Sequence, residues 1–143
     1  MDIPGYPARK AALKLLDAVL HRGETLDVAA HGALQGLRSG PDKALARALA
    51  GEVLRWLTDL DRLIDSATRQ ILPPDAKARS VLRLMLAGWR RLDTPPHAVI
   101  ATGLPLLSGG PRRLAHGVFS ALVRQDVELP AAPSLPPAVA QRW

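Results

Sequence analysis

The stretch RRLDTPPHAVI, from Arg90 to Ile100, contains a histidine close to an aspartate and two arginines, residue types that acid–base catalysis uses. A histidine that acts as a general base needs an orienting partner and a cleft. His97 instead follows two prolines, and proline suits the first turn of a helix because its missing N–H would have no partner there. Thr94 is then the natural N-cap of that helix. The stretch therefore predicts a corner between two helices and no catalytic role for His97.

Two other motifs could bind an ion. Three aspartates at helical spacing could form a metal site; they are Asp59, Asp61 and Asp65. Arg62 and Arg69 lie one turn from these acids, so a solvated face of ion pairs is the favoured interpretation. The SGGP segment, Ser108–Pro111, has glycines like a phosphate-binding loop, but it lacks the Lys-Ser/Thr of that motif and no strand precedes it. The sequence therefore predicts no metal site and no phosphate loop.

Composition excludes several classes of site and favours helices. The sequence has no cysteine, which rules out disulfides, thiolate zinc sites and cysteine nucleophiles in these residues. Only 3% of its residues are aromatic while 48% are hydrophobic, so the core must consist mostly of Leu, Ala and Val, a mixture that favours helix over strand. No signal peptide and no apolar run of bilayer length is visible, so we expect a cytoplasmic domain without a membrane contact.

The positive charge is concentrated in one part of the chain. Of the formal net charge of +6, residues 1–75 contribute nothing, because their ten basic and ten acidic residues cancel. Residues 76–125 hold eight basic residues and a single acid, Asp93. Such an asymmetry is typical of a protein that binds a polyanion, most often a nucleic acid. Without an exposed aromatic platform, we expect contacts to phosphates and to shape rather than stacking on bases.

Particular basic residues are candidates for these contacts. Arg79, Arg83 and Arg90 are spaced to share one face of a helix with no acid between them. Arg112 and Arg113 stand where a helix begins, and a positive charge at that end is unfavourable with respect to the helix dipole. Contact with a phosphate would be one reason for their presence there. The predicted RNA-binding residues are Arg9, Lys10, Lys14, Lys77, Arg79, Arg83, Arg90, Arg91, Arg112, Arg113 and Arg124.

Every long segment has the apolar period of an α-helix. The predicted helices cover Pro7–Arg22, Thr25 to about Leu37, Leu45–Ile71 as one bent helix or two joined near Thr58, Ala76–Leu92, Pro96–Leu107 and Arg112–Gln125. Gly23 should end the first helix, Thr25 should cap the second, and Asp75 should cap the one that starts at Ala76. The segment from Ala76 is apolar nearly all round, which predicts a helix in the middle of a bundle.

Three segments carry a resemblance to a known family. They are DKALARALAGEVLRWLTDLDRLID at 42–65, VLRLMLAGWRRLDTPPHAVIA at 81–101, and LAHGVFSALVRQ at 114–125. In this order and spacing they resemble the NusB-like helical domain, more closely its form at the N-terminus of the bacterial Sun/Fmu (RsmB) ribosomal RNA cytosine-5 methyltransferases. The resemblance implies an all-α bundle of six to seven helices in two three-helix halves. It places the domain at residues 1–126 and a Pro-rich linker toward a catalytic domain at 127–143.

The same resemblance implies a function for the domain. It would be a non-catalytic, RNA-binding accessory part of an rRNA methyltransferase, with ribosomal RNA and a C-terminal methyltransferase domain as its partners. S-adenosylmethionine would then bind in that second domain, and no cofactor is expected in these residues. Two alternatives stay open: a free-standing NusB-type antitermination factor that binds RNA together with a ribosomal protein, and a protein-docking module whose basic face meets an acidic partner.

Overall fold

A computed structural model describes residues 3–136, and within this range the chain forms seven α-helices, one 3₁₀ turn and no strand. The predicted all-α class is confirmed. No helix in this range is long and apolar enough to cross a membrane. The helices are α1 Tyr6–Arg22, α2 Leu26–Ala33, α3 Gly40–Arg55, α4 Leu57–Ser66, α5 Lys77–Arg90, α6 Pro96–Gly103 and α7 Gly109–Arg124, with the 3₁₀ turn at Leu104–Leu106.

The first three helices pack together around the apolar face of α1. Leu15 and Leu16 are fully buried on that face, against α2 and α3. Gly23 ends α1 in the left-handed conformation, with φ of 70°, which a glycine adopts without steric cost. The Thr25 hydroxyl accepts the backbone N–H of Val28 at 3.2 Å and so caps α2. Both predicted helix signals are confirmed.

The long apolar stretch after residue 45 forms two helices, which answers the question that its pattern left open. Buried Trp56 separates α3 from α4, with φ of −104° and ψ of 19°. Helix α4 ends at Ser66, earlier than the predicted Ile71. Residues 67–76, which we call the α4–α5 loop, connect the two helices without regular structure.

Helix α5 is the central element of the bundle, as predicted. Every residue from Ala78 to Trp89 is buried, and the helix contacts α1, α3, α4, α6 and α7. Helix α6 approaches it closely at Gly103, where a Cβ would come within 2.8 Å of the Met85 side chain. A larger residue at this contact would therefore force the Met85 side chain to move.

Two of the predicted N-caps are wrong. Ala76 occupies the N-cap position of α5, and the side chain of Asp75 lies exposed one residue too early to accept the orphan N–H groups. Pro95, not Thr94, precedes the first turn of α6. The corner is closed instead by the backbone, because the N–H of Thr94 donates to the carbonyl of Gly88 at 2.9 Å.

The chain after α7 is held against the bundle by three hydrogen bonds. At the start of this segment, Arg90 donates through Nε to the carbonyl of Val127 at 2.7 Å and through Nη2 to Asp126 at 2.6 Å. Further along, the N–H of Ser134 donates to Asp59 at 2.9 Å. We call residues 126–134 the strap. The predicted linker of residues 127–143 thus begins with a bound segment, and its residues 137–143 lie outside the described range.

The strap contact at Asp59 has a measurable consequence. Asp59 is only 5% exposed, and a buried carboxylate needs a hydrogen-bond donor, which the backbone of Ser134 supplies. We expect the Ser134 amide to be protected from hydrogen exchange in the wild type, to lose that protection in Asp59→Ala, and to keep part of it in Asp59→Asn, which retains an acceptor oxygen. Equal, unprotected exchange in all three proteins would contradict the contact.

Candidate nucleic-acid interface

Two of the predicted RNA-binding arginines lie in the interior, and the prediction that they face solvent is wrong. Arg79 and Arg83 are each 3% exposed. Arg83 contacts both carboxylate oxygens of Asp61, at 2.8 and 3.1 Å, and Arg79 reaches Asp61 at 3.2 Å. Arg79 also donates to Asp65 at 2.6 Å. The charge of these two arginines is therefore neutralised by α4 inside the molecule.

The buried arginines also hold the α4–α5 loop. Arg79 donates through Nε and Nη2 to the carbonyl of Leu72, at 3.1 and 2.7 Å. Arg83 lies 3.4 Å from the carbonyl of Pro74. These loop carbonyls lie outside any helix and need donors when they are buried. The pair of arginines therefore joins α4, α5 and the loop between them, and its role is structural.

The same contacts correct the predicted ion-pair face of α4. Asp61 and Asp65 point toward α5, so they do not neutralise Arg62 and Arg69 at the surface. The predicted pair of Arg62 with Asp59 is confirmed, at 3.9 Å. The predicted pair of Arg69 with Asp65 is wrong, because Arg69 has no carboxylate within ion-pair distance in residues 3–136. Over the same range, no three acids or histidines gather into a metal-binding group.

Arg90 and Arg91 are at the surface but already have partners. Arg90 holds the strap, and its guanidinium lies 3.8 Å from the centre of the Trp89 ring. Arg91 donates to Glu52 at 3.1 Å and lies 4.8 Å from the Trp56 ring. A phosphate would have to compete with these contacts. Their predicted role in RNA binding stays a prediction.

Helix α1 presents its three predicted residues differently. Arg9 is half-buried and donates to the carbonyl of Gly5 at 3.2 Å. Burial lowers the pKa of Arg9 from its ordinary value, and the negative charge of Asp42 opposes that shift. Lys10 and Lys14 are exposed, so of the three residues these two present their full charge to solvent.

The remaining candidates are exposed cations. None has a carboxylate within ion-pair distance in the part of the chain that the structure describes. They are Lys77 at the start of α5, Arg112 and Arg113 near the start of α7, and Arg124 at its end. Arg112 and Arg113 thus lie at the opposite end of α7 from Arg124. The predicted set is therefore spread over more than one surface.

Lys77 lies beside a groove of about 360 Å³ that has no acidic residue in its lining. This α5–α7 groove lies between the N-terminal ends of α5 and α7; it is lined by Leu72, Lys77, Leu107, Ser108, Gly110 and Leu114, among others. Neither helix has an acid in its first turn. Two helix N-termini carry partial positive charge, which adds to that of Lys77 and the nearby arginines of α7. The lining of the groove is mostly apolar, but its one charged residue and both helix ends are positive, so the groove attracts an anion rather than a cation.

Two other grooves have a mixed lining. The one between α1 and α2 includes Asp17, Glu24 and Asp75 along with Lys14 and Lys77. The groove beside the strap includes Asp61 and Asp65. Carboxylates repel phosphate at close range, so these surfaces suit a polyanion less well than the α5–α7 groove.

His97 lies in the first turn of α6, exposed to solvent and away from the α5–α7 groove. We expect His97→Ala to change the free energy of unfolding by at most about 0.5 kcal/mol, as surface substitutions usually do. RNA affinity should stay the same. Urea denaturation and fluorescence anisotropy check the two results, and lost binding at an unchanged unfolding midpoint would show a functional histidine.

Residues 6–106 match the model of the family described as the NusB family. The chain belongs to the NusB family. This NusB domain is 30% identical over 125 residues to ribosomal RNA small subunit methyltransferase B of Xanthomonas campestris pv. campestris, and 33% identical over 132 residues to the protein of that name from Escherichia coli O157:H7. Each match covers 85% of this chain but only 28–29% of the relative. The domain thus spans under a third of these methyltransferases.

A solved structure supports the fold of the NusB domain. Its TM-score to a chain in the crystal structure of the antitermination factors NusB and NusE in complex with dsRNA is 0.73, with 20% sequence identity. The match covers 84% of this chain and 96% of the other. The NusB-like architecture implied by the sequence resemblance is confirmed.

Proposed function

We propose that the chain is an RNA-binding accessory domain that acts with an rRNA methyltransferase domain on small-subunit ribosomal RNA. Its similarity to two rRNA methyltransferases over 85% of its length supports this role. In residues 3–136 there is no strand, and so no glycine-rich strand–helix turn of the kind that binds dinucleotide-like cofactors. We propose that S-adenosylmethionine binding and the transfer to cytosine reside in another part of such an enzyme.

The observation that carries the proposal is the acid-free α5–α7 groove, in which Lys77 is the one charged lining residue, together with two arginines in the first part of α7. Lys77, Arg112 and Arg113 lie around the N-terminal ends of two helices, and no carboxylate in the described range neutralises them. A dense row of phosphates is the ligand that gains most from such a site, because each contact releases condensed counterions. The domain would hold the RNA backbone, while the methyltransferase domain selects and modifies the base.

Footprinting on naked small-subunit ribosomal RNA tests the proposal. We expect the chain to protect a bounded set of nucleotides from backbone cleavage at about 0.1 M salt, and the protection to fade at about 0.5 M because phosphate contacts are salt-dependent. Protection that is absent at low salt would contradict RNA binding. Protection that is spread evenly along the RNA would contradict an accessory role at a defined site.

The free-standing antitermination factor remains the second candidate, because the chain covers 96% of the NusB chain in the solved complex. The two candidates differ in what RNA binding requires. A methyltransferase accessory domain should protect the RNA without any added protein. A footprint that appears only after a ribosomal protein is added would favour the antitermination role.

A further inference from the structure

Arg69 is a surface cation that has no carboxylate partner among residues 3–136. The chain places Asp65 four residues before it, the spacing of an ion pair on a helix. Helix α4 ends at Ser66, however, so the two residues do not lie on successive turns. Asp65 bonds Arg79 instead, and the exposed Arg69 keeps its full charge.

Arg69 lines a second groove in which no acid takes part. This loop–α7 groove has a volume of about 640 Å³ and is bounded by the α4–α5 loop on one side and by α7 on the other. Arg69 lines it from the loop and Arg113 lines it from α7, and Leu72 and Leu114 also belong to its lining. The same two leucines line the α5–α7 groove, so the two grooves are neighbours.

The loop that carries Arg69 is held in place from inside. The Leu72 carbonyl accepts two hydrogen bonds from the buried Arg79, three residues after Arg69. Ile71, next to it, is 74% exposed, so the outer part of the loop projects into solvent. A loop fixed at its base presents a charged side chain with less entropy to lose on binding than a free loop does.

We propose that the loop–α7 groove is an additional site for RNA phosphates, in which Arg69 and Arg113 contact the backbone from opposite sides. This inference rests on the proposed RNA-binding function and extends its surface from Lys77 to Arg69. The lining has no acid to repel an RNA strand. Each of the two arginines can donate two hydrogen bonds to a phosphate. Arg69 is therefore an RNA-contacting residue that the sequence pattern assigned to an ion pair.

The test compares Arg69→Glu with Arg62→Glu, the same change at an exposed arginine of α4 that lines the acidic groove beside the strap. Fluorescence anisotropy measures the affinity of the full chain for a labelled small-subunit rRNA fragment at about 0.1 M salt. One phosphate contact raises the RNA-binding constant about sixfold at 0.1 M salt compared with 1 M salt. We therefore expect Arg69→Glu to weaken RNA binding by about sixfold or more. Arg62→Glu should weaken RNA binding by less than about twofold, because Arg62 lines neither acid-free groove and contributes to RNA binding only a long-range attraction that salt screens. Its contact with Asp59 is also lost, so the unfolding midpoint of this variant is measured as well. Arg69→Lys, which keeps the charge, should retain most of the affinity.

Each outcome decides between the two proposals. A selective loss with Arg69→Glu, at an unfolding midpoint equal to that of the wild type, supports the site. Equal effects of the two reversals overturn the site but leave the RNA-binding function intact. A wild-type chain that does not bind RNA at low salt overturns both, and then an acidic protein becomes the better partner for this surface.

Discussion

Asp61→Ala is expected to lower the free energy of unfolding by about 3–5 kcal/mol, because removing one partner of a buried ion pair leaves the other charge uncompensated. Asp61 contacts both buried arginines. Without it, Arg83 keeps only the Pro74 carbonyl at 3.4 Å and the Ser80 hydroxyl at 3.5 Å. Urea denaturation followed by far-UV circular dichroism measures the change.

Asp75→Ala is the matched control. Asp75 is an exposed aspartate in the α4–α5 loop, with no ion pair in the described residues. Its replacement should cost at most about 0.5 kcal/mol, whereas the loss of a helix cap would cost about 1 kcal/mol. An Asp61→Ala protein as stable as the control would contradict the buried network. A clear loss of stability in Asp75→Ala would instead support the predicted role of Asp75 as a helix cap.

The double reversal Lys77→Glu with Arg113→Glu is expected to weaken RNA binding by about 40-fold or more at about 0.1 M salt. Each lost phosphate contact lowers the RNA-binding constant about sixfold, so two of them account for that factor. Repulsion between the new carboxylates and the phosphates adds to it. Both side chains are exposed and outside the core, so the fold should be unaffected. Anisotropy titration gives the affinity, and thermal unfolding confirms that the variant is folded.

A second double reversal controls for total charge. Lys43→Glu with Arg38→Glu makes the same change at two exposed cations that line neither acid-free groove. Neither residue belongs to the predicted RNA-binding set. This variant should lose less than about threefold in affinity, the long-range share of the attraction. A loss equal to that of the first variant would show that only the net charge matters.

The helices were predictable because their signals are local. Apolar residues at spacings of three and four define the buried faces, and Gly23 and Thr25 mark ends that depend only on neighbouring backbone groups. The prediction was wrong at Asp75 and Thr94. At these points a shift of one residue decides which side chain can reach the free N–H groups, and periodicity does not define a helix end that closely.

The site was predicted less well, because the partners of a charge are set by tertiary contacts. Arg79 and Arg83 are four residues apart on α5, and Asp61 and Asp65 are four apart on α4. Their equal spacing was a signal that the two helices could pair through these residues. The arginines were instead assigned to solvent, although α5 is apolar on most sides and a charge on it has little surface to reach. The partner of Arg69 was misassigned for the same reason.

The salt dependence of RNA binding tests the central claim most directly. The logarithm of the wild-type binding constant should fall linearly with the logarithm of salt concentration, by about 0.7–0.9 per phosphate contacted. The Lys77→Glu, Arg113→Glu variant should reduce that slope by about 1.4–1.8, the share of two contacts, and the Lys43→Glu, Arg38→Glu variant should leave it nearly unchanged. Identical slopes for all three proteins would contradict a phosphate-binding surface at the acid-free grooves.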